Sequence, residues 1–369
     1  MLGILILAVF LNAADITLSM KTCSDCMAYT SCEEAKQLAF YHKSPKTATM
    51  FLEAFCGVEY IQLERVTKVC CSHFTLSGID DRSGMSGSQN EKQVDNPQLK
   101  LLPASCGDID GTRIIRGDVA GLYEFPWMAL ISYKRRDGQY FMCAGSIINS
   151  RYILTAAHCA AKKNINGVRV GDHDISTKED CQGVKPRFCE SHVEDLGIEK
   201  IIIHEKWNNL SSSHDIALLR LERNIDLNHK NILPICLPVT DELRYKNLDN
   251  VNAVVAGWGV TETGQDSTLL YKANFEIKTM DKCRSVYDWD PKQGVDKLEG
   301  QICAGAPHKD TCRGDSGGPL LVESVYNGID RIVQYGVIST GSKICGIDVP
   351  TKFTDVRNYV DWILENIRE

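Results

Sequence analysis

The chain has 369 residues and carries 41 Lys and Arg against 48 Asp and Glu, a formal net charge of −7. An acidic balance excludes generic nucleic-acid affinity, which needs a basic face. The chain is 43% hydrophobic and 24% charged, as in ordinary globular proteins. No apolar run of about 20 residues follows the N-terminus, so no membrane-spanning helix is predicted in the mature protein.

Leu2 to Leu11 form a short apolar run followed by Asn12, Ala13 and Ala14. This reads as a signal peptide over residues 1–14, the alternative being a buried N-terminal strand. Sixteen cysteines point the same way. An oxidising compartment converts them into cross-links, and the even count lets every one pair. The expectation is a secreted, extracellular protein. Zinc competes for Cys23 and Cys26, but no second Cys-x-x-Cys or His-x-His partner sits at zinc spacing nearby.

Six cysteines (Cys23, Cys26, Cys32, Cys56, Cys70 and Cys71) mark out a segment over 22–71. So short a segment buries little core and leans on disulfides, and six cysteines leave about 15 connectivities open. Residues 72–113 follow as a linker, with a Ser-, Gly- and Asp-rich stretch at Ser77–Asn90 that cannot offset its chain entropy by burial. The other ten cysteines fall between Cys106 and Cys345.

Beyond the linker, short β-rich runs such as Arg151–Thr155, Val251–Ala256 and Tyr335–Ser339 alternate with turn signals. They predict an all-β barrel or sandwich. The chain closes differently: Val356, Tyr359, Val360, Ile363, Leu364 and Ile367 recur at helical spacing behind Asp355, a candidate N-cap.

Three motifs carry chemistry. Gly314-Asp315-Ser316-Gly317-Gly318 sets a serine among glycines, where backbone N–H groups can approach a developing oxyanion. Ala156-Ala157-His158-Cys159 supplies a base, and Asp215-Ile216-Ala217-Leu218-Leu219 a carboxylate entering an apolar strand. A serine hydroxyl is a poor nucleophile until a base takes its proton, and the base needs a carboxylate to fix its tautomer. Gly314-x-Ser316-x-Gly318 also fits the nucleophile elbow of α/β-hydrolases, whose histidine follows the serine. No histidine follows His308, so that reading fails.

With the motifs in the order His, Asp, Ser, residues 114–369 resemble the chymotrypsin/trypsin family. The cysteine-rich segment over 22–71 makes the whole chain resemble an arthropod clip-domain serine protease. The resemblance implies two six-stranded antiparallel β-barrels with a C-terminal helix, behind a small disulfide-rich clip domain. It implies catalytic His158, Asp215 and Ser316, an oxyanion hole from the N–H groups of Gly314 and Ser316, and Asp310 at the base of a pocket for Arg or Lys. Ser339, Gly341 and Thr351 match substrate-binding positions, with Ser339 also supporting Asp215. Two departures stand out: Thr340 replaces an aromatic residue, and Thr351 replaces a glycine on the pocket wall.

Activation by cleavage after Arg113 would free the Ile114 amine to pair with Asp315, with Arg116 offering a second, unproductive cut. The implied disulfides are Cys23–Cys70, Cys26–Cys56, Cys32–Cys71, Cys106–Cys236, Cys143–Cys159, Cys181–Cys189, Cys283–Cys303 and Cys312–Cys345. Catalysis needs no cofactor in this family. The loop around Asp172 and Asp174 holds calcium in some relatives, and a solvated acidic loop is the alternative. Asn209 opens the one N-glycosylation sequon.

The expected function is an endopeptidase zymogen in an extracellular cascade, of the kind that drives prophenoloxidase activation or the Toll pathway. Its expected partners are protein substrates (another zymogen or a cytokine precursor), an upstream activating protease and a serpin-type inhibitor. The alternative is a non-catalytic clip-domain adaptor, a class in which glycine typically replaces the serine.

Overall fold

The structure, a computed structural model, describes residues 23–28, 31–32, 54–61, 64–74, 97–108, 119–136, 138–162, 164–183, 187–208, 212–259, 267–287, 298, 300–306, 314–341 and 349–369. The signal segment 1–14, Arg113, Ile114, Arg116, Asn209, Asp310, Cys312 and Cys345 lie outside the described residues. The chain divides into two compact units, Met1–Lys92 and Gln93–Glu369.

In the first unit, β1 (Cys26–Ala28) and β2 (Phe55–Ile61) flank β3 (Glu64–Cys70) in an antiparallel sheet. Disulfides Cys23–Cys70, Cys26–Cys56 and Cys32–Cys71 cross-link it. Cys32, Cys70, Ala54 and Val69 are its buried apolar residues among those described. In so short a segment, three disulfides do much of the work that a larger core would do.

The second unit holds two closed, six-stranded antiparallel barrels, as the sequence resemblance predicts. The first is built from β4 (Met128–Arg135), β5 (Gly138–Asn149), β6 (Tyr152–Thr155), β7 (Ile165–Val170), β10 (Glu194–Ile203) and β11 (Ala217–Leu221). A two-stranded hairpin, β8 (Asp180–Gln182) and β9 (Phe188–Glu190), stands beside it. The second barrel comprises β12 (Asn252–Gly257), β13 (Tyr271–Ile277), β14 (Gln301–Gly305), β15 (Pro319–Tyr326), β16 (Ile329–Thr340) and β17 (Thr351–Asp355). Closure leaves no unpaired edge to recruit foreign strands. Trp127, Tyr133 and Tyr152 fill the first core, and Phe275, Tyr335 and Phe353 the second. Each such side chain contributes about 1.5–3 kcal/mol by leaving water.

Among the described residues, four short α-helices complete the unit: α1 (Ala157–Ala160), α2 (Asp241–Arg244), α3 (Met280–Val286) and α4 (Val360–Asn366). The Asp355 side chain caps the turn leading into α4 by accepting the Arg357 N–H. Val356, Tyr359, Val360, Ile363, Leu364 and Ile367 are all buried and join the core cluster of the first barrel. The Arg368 N–H donates to the Tyr152 hydroxyl of β6 at 3.0 Å. The helical periodicity therefore encodes a strap from the end of the second barrel back to the first.

The segment 72–113 is not one uniform linker. Residues 97–108 belong to the second unit, where Pro97–Leu101 forms a 3-10 turn with Leu99, Leu101 and Leu102 packed on the core. Asn149 Nδ2 donates to the Leu101 carbonyl at 3.0 Å, and Cys106 is bonded to Cys236. Cys143–Cys159, Cys181–Cys189 and Cys283–Cys303 are the other disulfides of this unit among the described residues.

Candidate active site

Strand register builds the first half of the site. Thr155, ending β6, pairs with Ala217, opening β11. The chain continues from Thr155 into α1 and reaches His158 three residues on; two residues before Ala217 stands Asp215. The pairing thus forces the two side chains together. His158 Nδ1 lies 2.7 Å from Asp215 Oδ2, and the His158 backbone N–H donates to Asp215 Oδ1 at 2.9 Å.

Asp215 is 1% exposed. A carboxylate removed from water costs several kcal/mol unless donors surround it. Besides the two bonds from His158, Oδ2 accepts the Ser339 hydroxyl at 2.6 Å. Thr354 Oγ1 of β17 donates to the Asp215 carbonyl at 2.8 Å. Two residues of the second barrel thus hold Asp215, Ser339 through its carboxylate and Thr354 through its main-chain carbonyl. With Nδ1–H pointing at the carboxylate, neutral His158 keeps Nε2 as its acceptor.

Ser316 arrives from the second barrel, three residues before β15. Its carbonyl accepts the Ala144 N–H of β5 at 2.8 Å, and Ala144 in turn accepts the Thr155 hydroxyl at 2.8 Å. The serine backbone is therefore pinned to the strand pair that carries His158. Gly317 has φ +82, and any Cβ there would strike Thr155 Oγ1 and the Ala144 carbonyl. Only glycine lets the loop come this close. Cys159, adjacent to His158, is bonded to Cys143 on β5, and its carbonyl accepts the Tyr133 hydroxyl at 3.1 Å.

Asp315 Oδ1 accepts the Gly259 N–H at 2.9 Å, and Gly257 and Gly259 abut this carboxylate without room for a Cβ. Ser339 and Thr340 end β16, with Gly341 next; the Thr340 hydroxyl lies 3.3 Å from that of Ser339. Thr351 opens β17, is 1% exposed, and pairs with Ala304 of β14.

The residues of the acidic loop meet outside this cleft. The Asp172 side chain is 4% exposed, and burial pushes its carboxyl up to about 6. Arg169, 3.2 Å away, works against that shift, while the charges of Asp180 and Asp174 add to it. Asp180 accepts the His173 N–H at 2.8 Å and the Thr177 hydroxyl at 2.6 Å. These carboxylates are of the donor type that calcium takes, but each already has a partner: Arg169 for Asp172, the Ser176 hydroxyl for Asp174 and the Thr177 hydroxyl for Asp180.

Sequence reasoning missed Thr354 and the fastening of Ser316 to Ala144. The one signal for Thr354 was a hydroxyl residue in the apolar alternation of Thr351-Lys352-Phe353-Thr354, where a fully buried polar side chain must find a partner.

Comparison with known proteins agrees with this geometry. The trypsin family model matches residues 114–363. Serine protease grass of Drosophila melanogaster is 35% identical over 93% of this chain and 88% of its own length. CLIP domain-containing serine protease B4 of Anopheles gambiae is 36% identical over 93% and 89%. The crystal structure of the Drosophila Grass clip serine protease of the Toll pathway superposes with a TM-score of 0.65 at 34% identity, covering 92% of this chain and 93% of that one.

Proposed function

Since the chain belongs to the trypsin family and is a clip-domain serine protease, we propose that it is a secreted endopeptidase zymogen that, once cut after Arg113, hydrolyses peptide bonds following Arg or Lys. The observation that carries this reading is the chain of hydrogen bonds from Ser339 through Asp215 to His158, beside a serine held by its glycine loop.

In this reading Ser316 Oγ attacks the substrate carbonyl carbon while His158 Nε2 takes the hydroxyl proton. Asp215 holds the imidazole in its tautomer and stabilises the imidazolium. The N–H groups of Gly314 and Ser316 receive the oxyanion. His158 then protonates the leaving amine, and water resolves the acyl-enzyme by the same steps in reverse. Asp310 provides the negative charge for Arg or Lys, within walls that include Ser339, Gly341 and Thr351. The new Ile114 amine pairs with Asp315 and so orders the oxyanion loop. For the acidic loop at Asp172 to take calcium as a structural ion, the cation would have to displace the Arg169 guanidinium from Asp172.

The names of relatives set the biological context. One is called melanization protease 1, another Spaetzle-processing enzyme, and the Grass structure is assigned to the Toll pathway. By analogy the substrate is a protein precursor in an extracellular cascade, the activator is an upstream protease, and a serpin-type protein is the inhibitor.

The deciding experiment measures hydrolysis of Arg- and Lys-terminated chromogenic peptides before and after controlled cleavage at Arg113, with Ser316→Ala as control. Activity that appears only after the cut and disappears in the variant is expected. Silence after a sequenced Ile114 terminus would refute the reading.

A further inference from the structure

Several basic side chains in the second unit are paired with carboxylates. Arg151 pairs with Glu199, Arg169 with Asp195, Lys272 with Glu124, and Arg357 with Asp355. The hairpin joining β4 to β5 instead concentrates cations. Lys134, Arg135 and Arg136 stand in succession at its exposed tip, and none has a carboxylate partner among the described residues. In a chain of net charge −7, the run Lys134-Arg135-Arg136, followed by the single acid Asp137, is a local reversal of sign.

At Lys134 the hairpin is hydrogen-bonded to the segment that follows His158. The Lys134 N–H donates to the Asn164 carbonyl at 2.7 Å, and Asn164 Nδ2 donates back to the Lys134 carbonyl at 3.0 Å. Asn164 also donates to the Tyr140 hydroxyl at 3.2 Å, and the Arg135 guanidinium lies 4.5 Å from the centre of the Tyr140 ring. Between tip and histidine stands Lys162, four residues beyond His158, its Nζ 5.3 Å from the Tyr133 ring centre and 2.8 Å from Met142 Sδ. Positive charge thus extends from one helical turn past the candidate base out to the hairpin tip.

The direction of the ridge follows from the chemistry. His158 must reach the leaving nitrogen to protonate it, so the substrate beyond the scissile bond starts beside α1. We propose that Lys134, Arg135, Arg136 and Lys162 form a docking ridge for an acidic segment of the protein substrate, located on the leaving-group side of the cleaved bond. This rests on the proteolytic reading above. Cations beside a cleft raise the local concentration of a complementary chain and select among substrates that share the same residue at the cut.

The test uses the full chain cleaved at Arg113. Two fluorogenic peptides share one Arg cleavage site; one carries a run of glutamates after it, the other a Gly-Ser run of equal length. Wild type should prefer the glutamate peptide by about tenfold in kcat/KM at low salt, the combined effect of several exposed ion pairs. The preference should vanish near roughly 0.5 M salt, where screening is nearly complete. It should also vanish in Lys134→Glu/Arg135→Glu/Arg136→Glu, which should retain wild-type turnover of the Gly-Ser peptide.

A second measurement does not depend on catalysis. Fluorescence anisotropy of a labelled glutamate-run peptide should show salt-sensitive binding to the Ser316→Ala chain and none to the same chain carrying the three reversals. Equal kcat/KM for both peptides in wild type, or a preference that survives the reversals, overturns the ridge. So does anisotropy that detects a sulfated oligosaccharide but not the peptide. If neither peptide is hydrolysed, the proteolytic reading fails while anisotropy still decides whether the ridge binds.

Discussion

The Ser339 hydroxyl and the His158 imidazole converge on one oxygen, Asp215 Oδ2, at 2.6 Å and 2.7 Å. One donor comes from each barrel, so the orientation of the imidazole depends on how the barrels meet. Removing the Ser339 donor leaves a buried carboxylate one bond short, a loss of about 1.5–3 kcal/mol for a charged group. Ser339→Ala should lower kcat by about tenfold or more with a smaller change in KM, read from steady-state kinetics on a chromogenic peptide.

Thr351 is fully buried where the family resemblance places a pocket-wall glycine. Extra volume in a closed site costs about 1–3 kcal/mol. Thr351→Gly should therefore raise kcat/KM for an Arg peptide by about tenfold, with less effect on a substrate of smaller side chain. Equal values for both enzymes would show that the neighbouring loops already accommodate the threonine.

Calcium at the Asp172 loop should raise the melting temperature. At a concentration a hundredfold above Kd the gain is about 2.7 kcal/mol, or roughly 5–10 °C for a domain of this size. Chelator should reverse it, and Asp172→Asn should remove most of it, as scanning calorimetry would report.

His204 gives a pH dependence of defined sign. It is 7% exposed, stacked at 4.8 Å on His214, and its Nδ1 accepts the Lys206 N–H at 3.2 Å. Burial holds its imidazolium below the ordinary value of 6.5, with the neighbouring Glu205 opposing and His214 and Lys206 reinforcing the shift. Below pH 6.5 the unfolded chain takes up the proton before the folded one, so this residue erodes stability as pH falls and is without effect above. His204→Phe should flatten the denaturation midpoint between neutral and mildly acid pH. An unchanged slope would show that other groups set it.

Much of this architecture could be read beforehand because its signals are local. Turn-punctuated β runs announce the barrels, and the stripe from Val356 to Ile367 announces α4. Glycines around Ser316, and an aspartate at the mouth of an apolar strand, mark the chemistry within a few residues of sequence. What stayed hidden depends on docking between distant strands. Thr354 meets the Asp215 carbonyl, and Ala144 meets Ser316, only after the barrels assemble. The leucines of 97–102 were hidden for a related reason: a short apolar cluster in a polar stretch shows its purpose only beside the surface it covers.

The Cys106–Cys236 bond spans the proposed cut. Cys106 lies seven residues before Arg113, whereas Cys236 belongs to the barrel unit, so hydrolysis at Arg113 would create a new terminus without creating a second molecule. The cysteine-rich segment and the protease would diffuse as one particle, and dilution could not separate them. Anything that captures the segment would confine proteolysis to the place of capture, with the connecting chain setting how far it reaches. A reductant, or a second cut between Cys71 and Cys106, would release the enzyme to roam.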